Sequence, residues 1–221
     1  MPEKQRFSIT ALILILLVIG ALMGVLFFLA VVTVFPFAIG PDLNQLGRIG
    51  PAILWIGALL ASLLGLDRLF AMEREDGALD ALVMQPHPLM AVILVKCLAH
   101  WLVSGLPLIL ATPLFGIMLN VSPLGIAAVM ATLAAGTPAI TFIGAAAAAV
   151  ASALPRGGLL IAVLTLPLVI PVLIFGITAT NGALYDPDPF TGPFLILLAL
   201  TLFAGVLGPL AASLMLRHSA E

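Results

Sequence analysis

Charge is the scarcest commodity in this chain. Only 18 of its 221 residues are Asp, Glu, Lys or Arg, which is 8%, where a soluble domain carries about 25%. Lysine occurs twice, as Lys4 and Lys96, and cysteine once, as Cys97. Each shortage excludes something. With 63% apolar residues and so few charges to coat an exterior, a soluble fold of this size has nowhere to hide its apolar surface. A net charge of −2 offers no basic footprint for nucleic acid, so no nucleic-acid partner is expected. One cysteine cannot form an internal disulfide framework, and no Cys-x-x-Cys-His occurs to hold a covalent c-type haem. Neither lysine is preceded by glycine, and Lys4 and Lys96 are followed by Gln5 and Cys97. No phosphate-cradling P-loop is therefore present, and any ATP hydrolysis must come from another subunit. His-Glu-x-x-His and Gly-x-Ser-x-Gly are missing too, which argues against hydrolase chemistry and for a non-enzymatic role, with no catalytic and no metal-binding residues expected.

What the chain has instead is long uncharged runs. Phe7 to Pro41 is 35 residues, Ile49 to Leu66 is 18, Cys97 to Pro155 is 59, Gly157 to Tyr185 is 29 and Pro189 to Leu216 is 28. A helix needs about 20 apolar residues to cross a hydrocarbon core of roughly 30 Å. The 59-residue run suits two helices and carries a turn signal at Asn120-Val121-Ser122-Pro123. The runs do not alternate polar with apolar, so a β-barrel is excluded, and backbone hydrogen bonding inside lipid demands helices. The reading is one all-α transmembrane domain over 1–221, with six spans at about 11–36, 49–67, 90–119, 124–153, 158–180 and 191–216. The first run is too long for a signal peptide and has no small-x-small cleavage site before the next. With the N-terminus in the cytoplasm, Lys4, Arg6, Arg68, Arg74, Lys96, Arg156 and Arg217 lie inside and only Arg48 outside. That bias predicts cytoplasmic N and C termini.

The polar residues concentrate in the connection over 67–88. Seven charges fall within the 14 residues from Asp67 to Asp80. Asp76 is placed to cap a short helix over 77–84, with Leu79, Leu82 and Val83 on one face and Pro86 and Pro88 ending it. Such a helix is either a membrane-surface anchor or a docking knob for a soluble partner. Its charges, Glu73, Glu75, Asp76 and Asp80 against Arg74, are mostly acidic, which does not suit anionic lipid.

Three further polar residues invite a functional reading. His100 follows Lys96 by four residues on one helix face inside the third span. It is read either as a polar interhelical contact near the interface, beside Trp101, or as a haem ligand, and the first is preferred. Lys96 is long enough to reach the headgroups. Arg48, at the outer end of the second span, has Asp42 or an acidic partner within its scope. His87 is read as a solvated surface residue, His218 as a tail residue, and Met118 and Met130 as packing. Pro107, Pro113, Pro138, Pro167 and Pro171 lie inside spans, and Gly136, Gly144 and Ala145 to Ala149 favour close helix contact.

The pattern Glu73-Arg74-Glu75-Asp76-Gly77, Leu79-Asp80, Leu82 and Pro86 resembles the cytoplasmic signature of ABC-2 type exporter membrane subunits. There the acidic-Gly turn and the helix after it sit on the nucleotide-binding subunit. Other blocks narrow the likeness: Phe27-Phe28, Phe35-Pro36-Phe37, Ile39-Gly40-Pro41-Asp42, Arg48-Ile49-Gly50-Pro51, Ile53-Leu54-Trp55, Ala99-His100-Trp101, Gly136-Thr137-Pro138 and Arg156-Gly157-Gly158. In order and spacing the chain, over about residues 25–216, closely resembles the haem exporter protein B (CcmB) family of the cytochrome c maturation system. The resemblance implies an ABC-2-like permease subunit of a bacterial inner membrane. Its partners would be a cytoplasmic ATP-binding subunit, a polytopic haem-handling subunit, a small single-span subunit and, indirectly, a periplasmic haem chaperone. ATP would act through the partner, and haem is a possible cargo. Residues 1–24 depart from the family, which opens with a basic amphipathic surface helix. Here only Lys4 and Arg6 are basic, and Ile9 to Gly24 is uncharged. The rival expectations are an ABC-2 exporter subunit for an unrelated substrate and a membrane scaffold with no energy coupling.

Overall fold

The computed structural model describes residues 2–70, 77, 88–152, 158–185, 187 and 189–219, with side chains between residues 20 and 218. Among the described residues it is all helical: α1 (Pro2–Ile39), α2 (Leu43–Leu63), a 3₁₀ turn (Leu66–Leu69), α3 (Leu89–Met118), α4 (Pro123–Ser152), α5 (Gly158–Gly182) and α6 (Thr191–Ser219). Six helices are long and apolar enough to cross a membrane. At about 1.5 Å per residue, the 30 residues of α3 and of α4 reach well beyond one hydrocarbon thickness.

The corners follow from a few polar and left-handed residues. Gly40, with φ +80°, ends α1, and the Asp42 carboxylate accepts the Gln45 N–H at 3.0 Å to start α2. Asn120, with φ +54°, ends α3. The Val121 N–H returns to Gly116 O at 2.9 Å and the Asn120 N–H to Ile117 O at 3.0 Å, the bond pair of a left-handed helix stop. Ser122 Oγ then accepts the Gly125 N–H at 3.2 Å and Pro123 takes the first helical position, where its missing N–H costs nothing. The Asn120 amide donates to Leu43 O at 3.1 Å, so the α1–α2 and α3–α4 corners are tied at one end of the bundle. The 3₁₀ turn lies at the other end.

α4 is the hub. It packs against α2, α3, α5 and α6, while α1 lies outside on α2 and α3. Its composition explains this: Gly136, Gly144, Ala145 and Ala147 to Ala149 are all buried, and small side chains let neighbouring backbones approach in lipid, where apolar surface alone provides no drive to associate. Leucines that point outward, such as Leu110, Leu159 and Leu202, are 66%, 79% and 73% exposed, as a lipid-facing surface requires.

Candidate functional site

Two tryptophans clasp α4 from neighbouring helices. Trp55, on α2, is fully buried and donates its indole N–H to Thr132 Oγ1 at 3.1 Å. Thr132 Oγ1 lies 2.9 Å from Thr180 Oγ1 on α5. Each hydroxyl also has a carbonyl one turn back within reach, Ala128 O and Gly176 O; with one proton apiece, one hydroxyl donates to its carbonyl and the other across the Thr132–Thr180 contact, so both are paired. The ring has room only because Gly136 and Gly176 lack side chains; a Cβ on Gly136 would stand 2.7 Å from the indole, and one on Gly176 would overlap it. Trp101, on α3, is half-buried and donates to Thr137 Oγ1 at 2.9 Å. From α6, the Thr201 hydroxyl donates to Ala135 O at 2.7 Å. Ala135 stands beside the break in the helix ladder that Pro138 creates, where a hydroxyl from a neighbour compensates backbone carbonyls.

The polar site lies at the end of the bundle that holds the 3₁₀ turn. Leu66, Leu69 and Phe70 are buried there, while Asp67 and Arg68 face outward. Lys96 Nζ stands 5.3 Å from the centre of the Phe70 ring, within the range of a cation–π contact. Arg68 reaches Met23 Sδ on α1 at 3.4 Å. One turn along α3 from Lys96, the His100 ring packs against Gly65, where a Cβ would stand 3.3 Å from Cε1 and 3.5 Å from Nε2. Nε2 is enclosed, with no hydrogen-bond partner among the described residues. Asp67, Arg68 and Lys96 are the charges that act on this imidazole. Its neighbour Trp101 makes an interhelical bond in this region, to Thr137 Oγ1.

The structure thus brings Lys96 and His100 together, with Asp67 and Arg68 across from them. Arg48 stands at the opposite end, exposed on the first turns of α2, and Asp42 spends its carboxylate on the helix cap. Gly77 is exposed with φ +67°, a left-handed position suited to glycine. Glu73, Glu75, Asp76, Leu79, Asp80 and Leu82 lie outside the described residues. Among the described residues no group of three His, Cys, Asp or Glu is placed to hold a metal ion. Sequence reasoning did not single out Thr132, Thr180 or Gly176, and it met Leu66 only within the block Leu66 to Phe70 that adds to the family resemblance. The available signal was hydroxyls and glycines one helical turn apart inside uncharged runs.

A bundle of six helices long and apolar enough to cross a membrane, with a short charged connection after the second, is the build of a multi-pass membrane protein. The comparisons with known proteins give it a family. The CcmB protein family model matches residues 14–219. The haem exporter protein B of Bradyrhizobium diazoefficiens is 57% identical over 202 residues, covering 91% of each chain. That of Paracoccus denitrificans is 48% identical over 191 residues, covering 86% of this chain and 87% of the relative. That of Escherichia coli K12 is 44% identical over 195 residues, covering 88% of each. The chain belongs to the CcmB family, the haem exporter membrane subunits of cytochrome c biogenesis.

Proposed function

We propose that this chain is the membrane permease subunit of an ABC-type complex in cytochrome c maturation. It would couple ATP hydrolysis by a cytoplasmic partner to haem delivery, or to release of a haem-loaded periplasmic chaperone. The observation that carries the reading is the family match over residues 14–219, on a chain without a P-loop of its own. The Lys and Arg bias supports an inner-membrane orientation with both termini in the cytoplasm, and an even span count agrees with it. In that orientation the 67–88 connection faces the cytoplasm. Glu73, Glu75, Asp76, Gly77, Leu79, Asp80 and Leu82 then form the contact with the ATP-binding subunit. The complex would also include a polytopic haem-handling subunit and a small single-span subunit. Arg48, Lys96 and His100 act on the permease side, Lys96 and His100 beside the root of the connection and Arg48 at the periplasmic end.

The test is deletion of the gene in its host, followed by staining of membrane proteins for covalent haem. The expected outcome is loss of all c-type cytochromes and their return with the wild-type gene. Complementation with Asp76→Lys, at normal chain abundance, is expected to leave the stain at least tenfold lower. An unchanged stain after deletion, in a host with no second maturation system, removes the maturation role. Full complementation by Asp76→Lys removes the docking role and favours an uncoupled scaffold.

A further inference from the structure

The chain that leaves α2 does not run straight out of the bundle. Its 3₁₀ winding, at three residues per turn, sets Leu66 and Leu69 on one side. Leu66 is 0%, Leu69 4% and Phe70 2% exposed, with Asp67 and Arg68 outward between them. Leu66 has a dedicated seat. It rests on Gly144 of α4, where a Cβ would overlap its Cδ1 and come within 2.7 Å of Cδ2. Phe70 lies under the Lys96 ammonium of α3, and Gly65 is the bare backbone against which His100 packs. The four residues Leu66–Leu69 touch α2, α3, α4 and α5 together. A connection that merely joined two spans would need none of this. The nearest charges of the acidic segment begin at Glu73, seven residues beyond Leu66.

We propose that Leu66, seated on Gly144, is the positioning residue that transmits displacement of the cytoplasmic connection to the bundle. The root of the connection and α4 move as one body. Close-packed side chains do not deform continuously, and a helix is stiff along its axis. A push delivered at the root therefore arrives at α4, and α4 is the helix that touches α2, α3, α5 and α6. Phe70 beneath Lys96 and Gly65 against His100 hold the root in register on the α3 side. This inference rests on the reading above, that a partner ATPase engages the connection.

The experiment uses the full chain expressed in its host with its own complex. Three quantities are read for each variant. They are the amount of chain in the membrane, the ATP hydrolysis of the subunit that co-purifies with it, and the covalent haem stain of c-type cytochromes. Gly144→Ala, which puts a methyl where Leu66 sits, is expected to leave the first two within twofold of wild type and lower the stain at least fivefold. Leu66→Ala, which empties the seat, is expected to lower the stain at least threefold at normal abundance. The double variant exchanges volume across the same contact and is expected to restore the stain to at least half of wild type. Leu66→Met, which keeps length and flexibility, is expected to function. If Gly144→Ala lowers abundance and stain in proportion, the seat is packing only and the proposal falls. A normal stain with Leu66→Ala at normal abundance overturns it as well. A wild-type chain that brings down no ATP-hydrolysing subunit overturns the underlying reading and this one with it.

Discussion

Trp55 and Trp101 do the same thing in different surroundings. Each is an indole on a helix beside α4, and each donates one hydrogen bond to a threonine there, Thr132 at 3.1 Å and Thr137 at 2.9 Å. Around Trp55 the neighbours have been cut to fit: glycines on both α4 and α5 face its ring, and its acceptor is shared with a hydroxyl from α5. Around Trp101 the glycine is Gly105, one turn along its own helix, and the ring is half open. The first arrangement joins three helices through one side chain; the second joins two. In lipid, an interhelical hydrogen bond contributes roughly 0.6 kcal/mol on average and less than about 2 kcal/mol at best. The bonds alone therefore do not distinguish the two sites. The close packing does: around Trp55 it seats α2, α4 and α5 about one ring, where the Trp101 bond joins α3 to α4 alone.

The largest expected effect comes from breaking the packing without touching the bond. Gly176→Val places a branched side chain where the buried Trp55 ring already sits. Overpacking of a well-filled core costs about 1–3 kcal/mol and occasionally more, and here the overlap involves a rigid ring that cannot swing aside, so the upper end applies. The expected outcome is a chain that fails to accumulate in the membrane, with unfolding at lower SDS fraction in mixed micelles. Gly158→Ala is the matched control, since nothing lies within 4 Å of a Cβ at that position, and it is expected to match wild type. If Gly176→Val accumulates normally, the tight seat around Trp55 is not a stability determinant.

The contrast between these regions also shows what can be read from composition and what cannot. The helical class, the six spans and the Asn120-Val121-Ser122-Pro123 corner are legible because each rests on local physics: run length against membrane thickness, and residues that suit a left-handed stop and a cap. The partner of each helix is not legible. A helix that is apolar all round has no polar face to show which side meets protein and which meets lipid, so the run from Cys97 to Pro155 does not show which helices gather around α4. The buried Ala and Gly of α4 announce close contact, but not with whom. The site divides the same way. The acidic connection stands out against an uncharged chain, whereas the Leu66 seat on Gly144 joins residues 78 apart in sequence and involves only apolar groups. His100 shows the limit from the other side. Its position suggests a hydrogen-bonded or ligating imidazole, and what decides its surroundings is a glycine, Gly65, on another element.

Two substitutions of the same type sharpen the comparison, and they complete the series from larger to smaller. Trp55→Phe removes one hydrogen bond and the benzo ring that fills the space between Gly136 and Gly176. The bond costs at most about 2 kcal/mol, and the space left behind adds a further penalty that grows with its volume, by about 24 cal/mol per Å³. Thr132 keeps its bonds to Thr180 and to Ala128 O, so no buried hydroxyl is orphaned. A loss of about 2–3 kcal/mol is expected. Trp101→Phe removes a comparable bond from a half-open position. Thr137 keeps its bond to Leu133 O at 2.7 Å, and lipid or a repositioned ring fills the space, so the expected loss is under about 1 kcal/mol. The measurement is SDS-titrated unfolding of the two variants in the same mixed micelles. A gap of at least about 1 kcal/mol in favour of the Trp101 variant supports the glycine seat around Trp55, and not its hydrogen bond, as the stronger determinant of stability. Equal losses would mean that the indole hydrogen bonds, and not the glycine seats, set what each tryptophan contributes, and the two sites would then stand on the same footing despite their different surroundings.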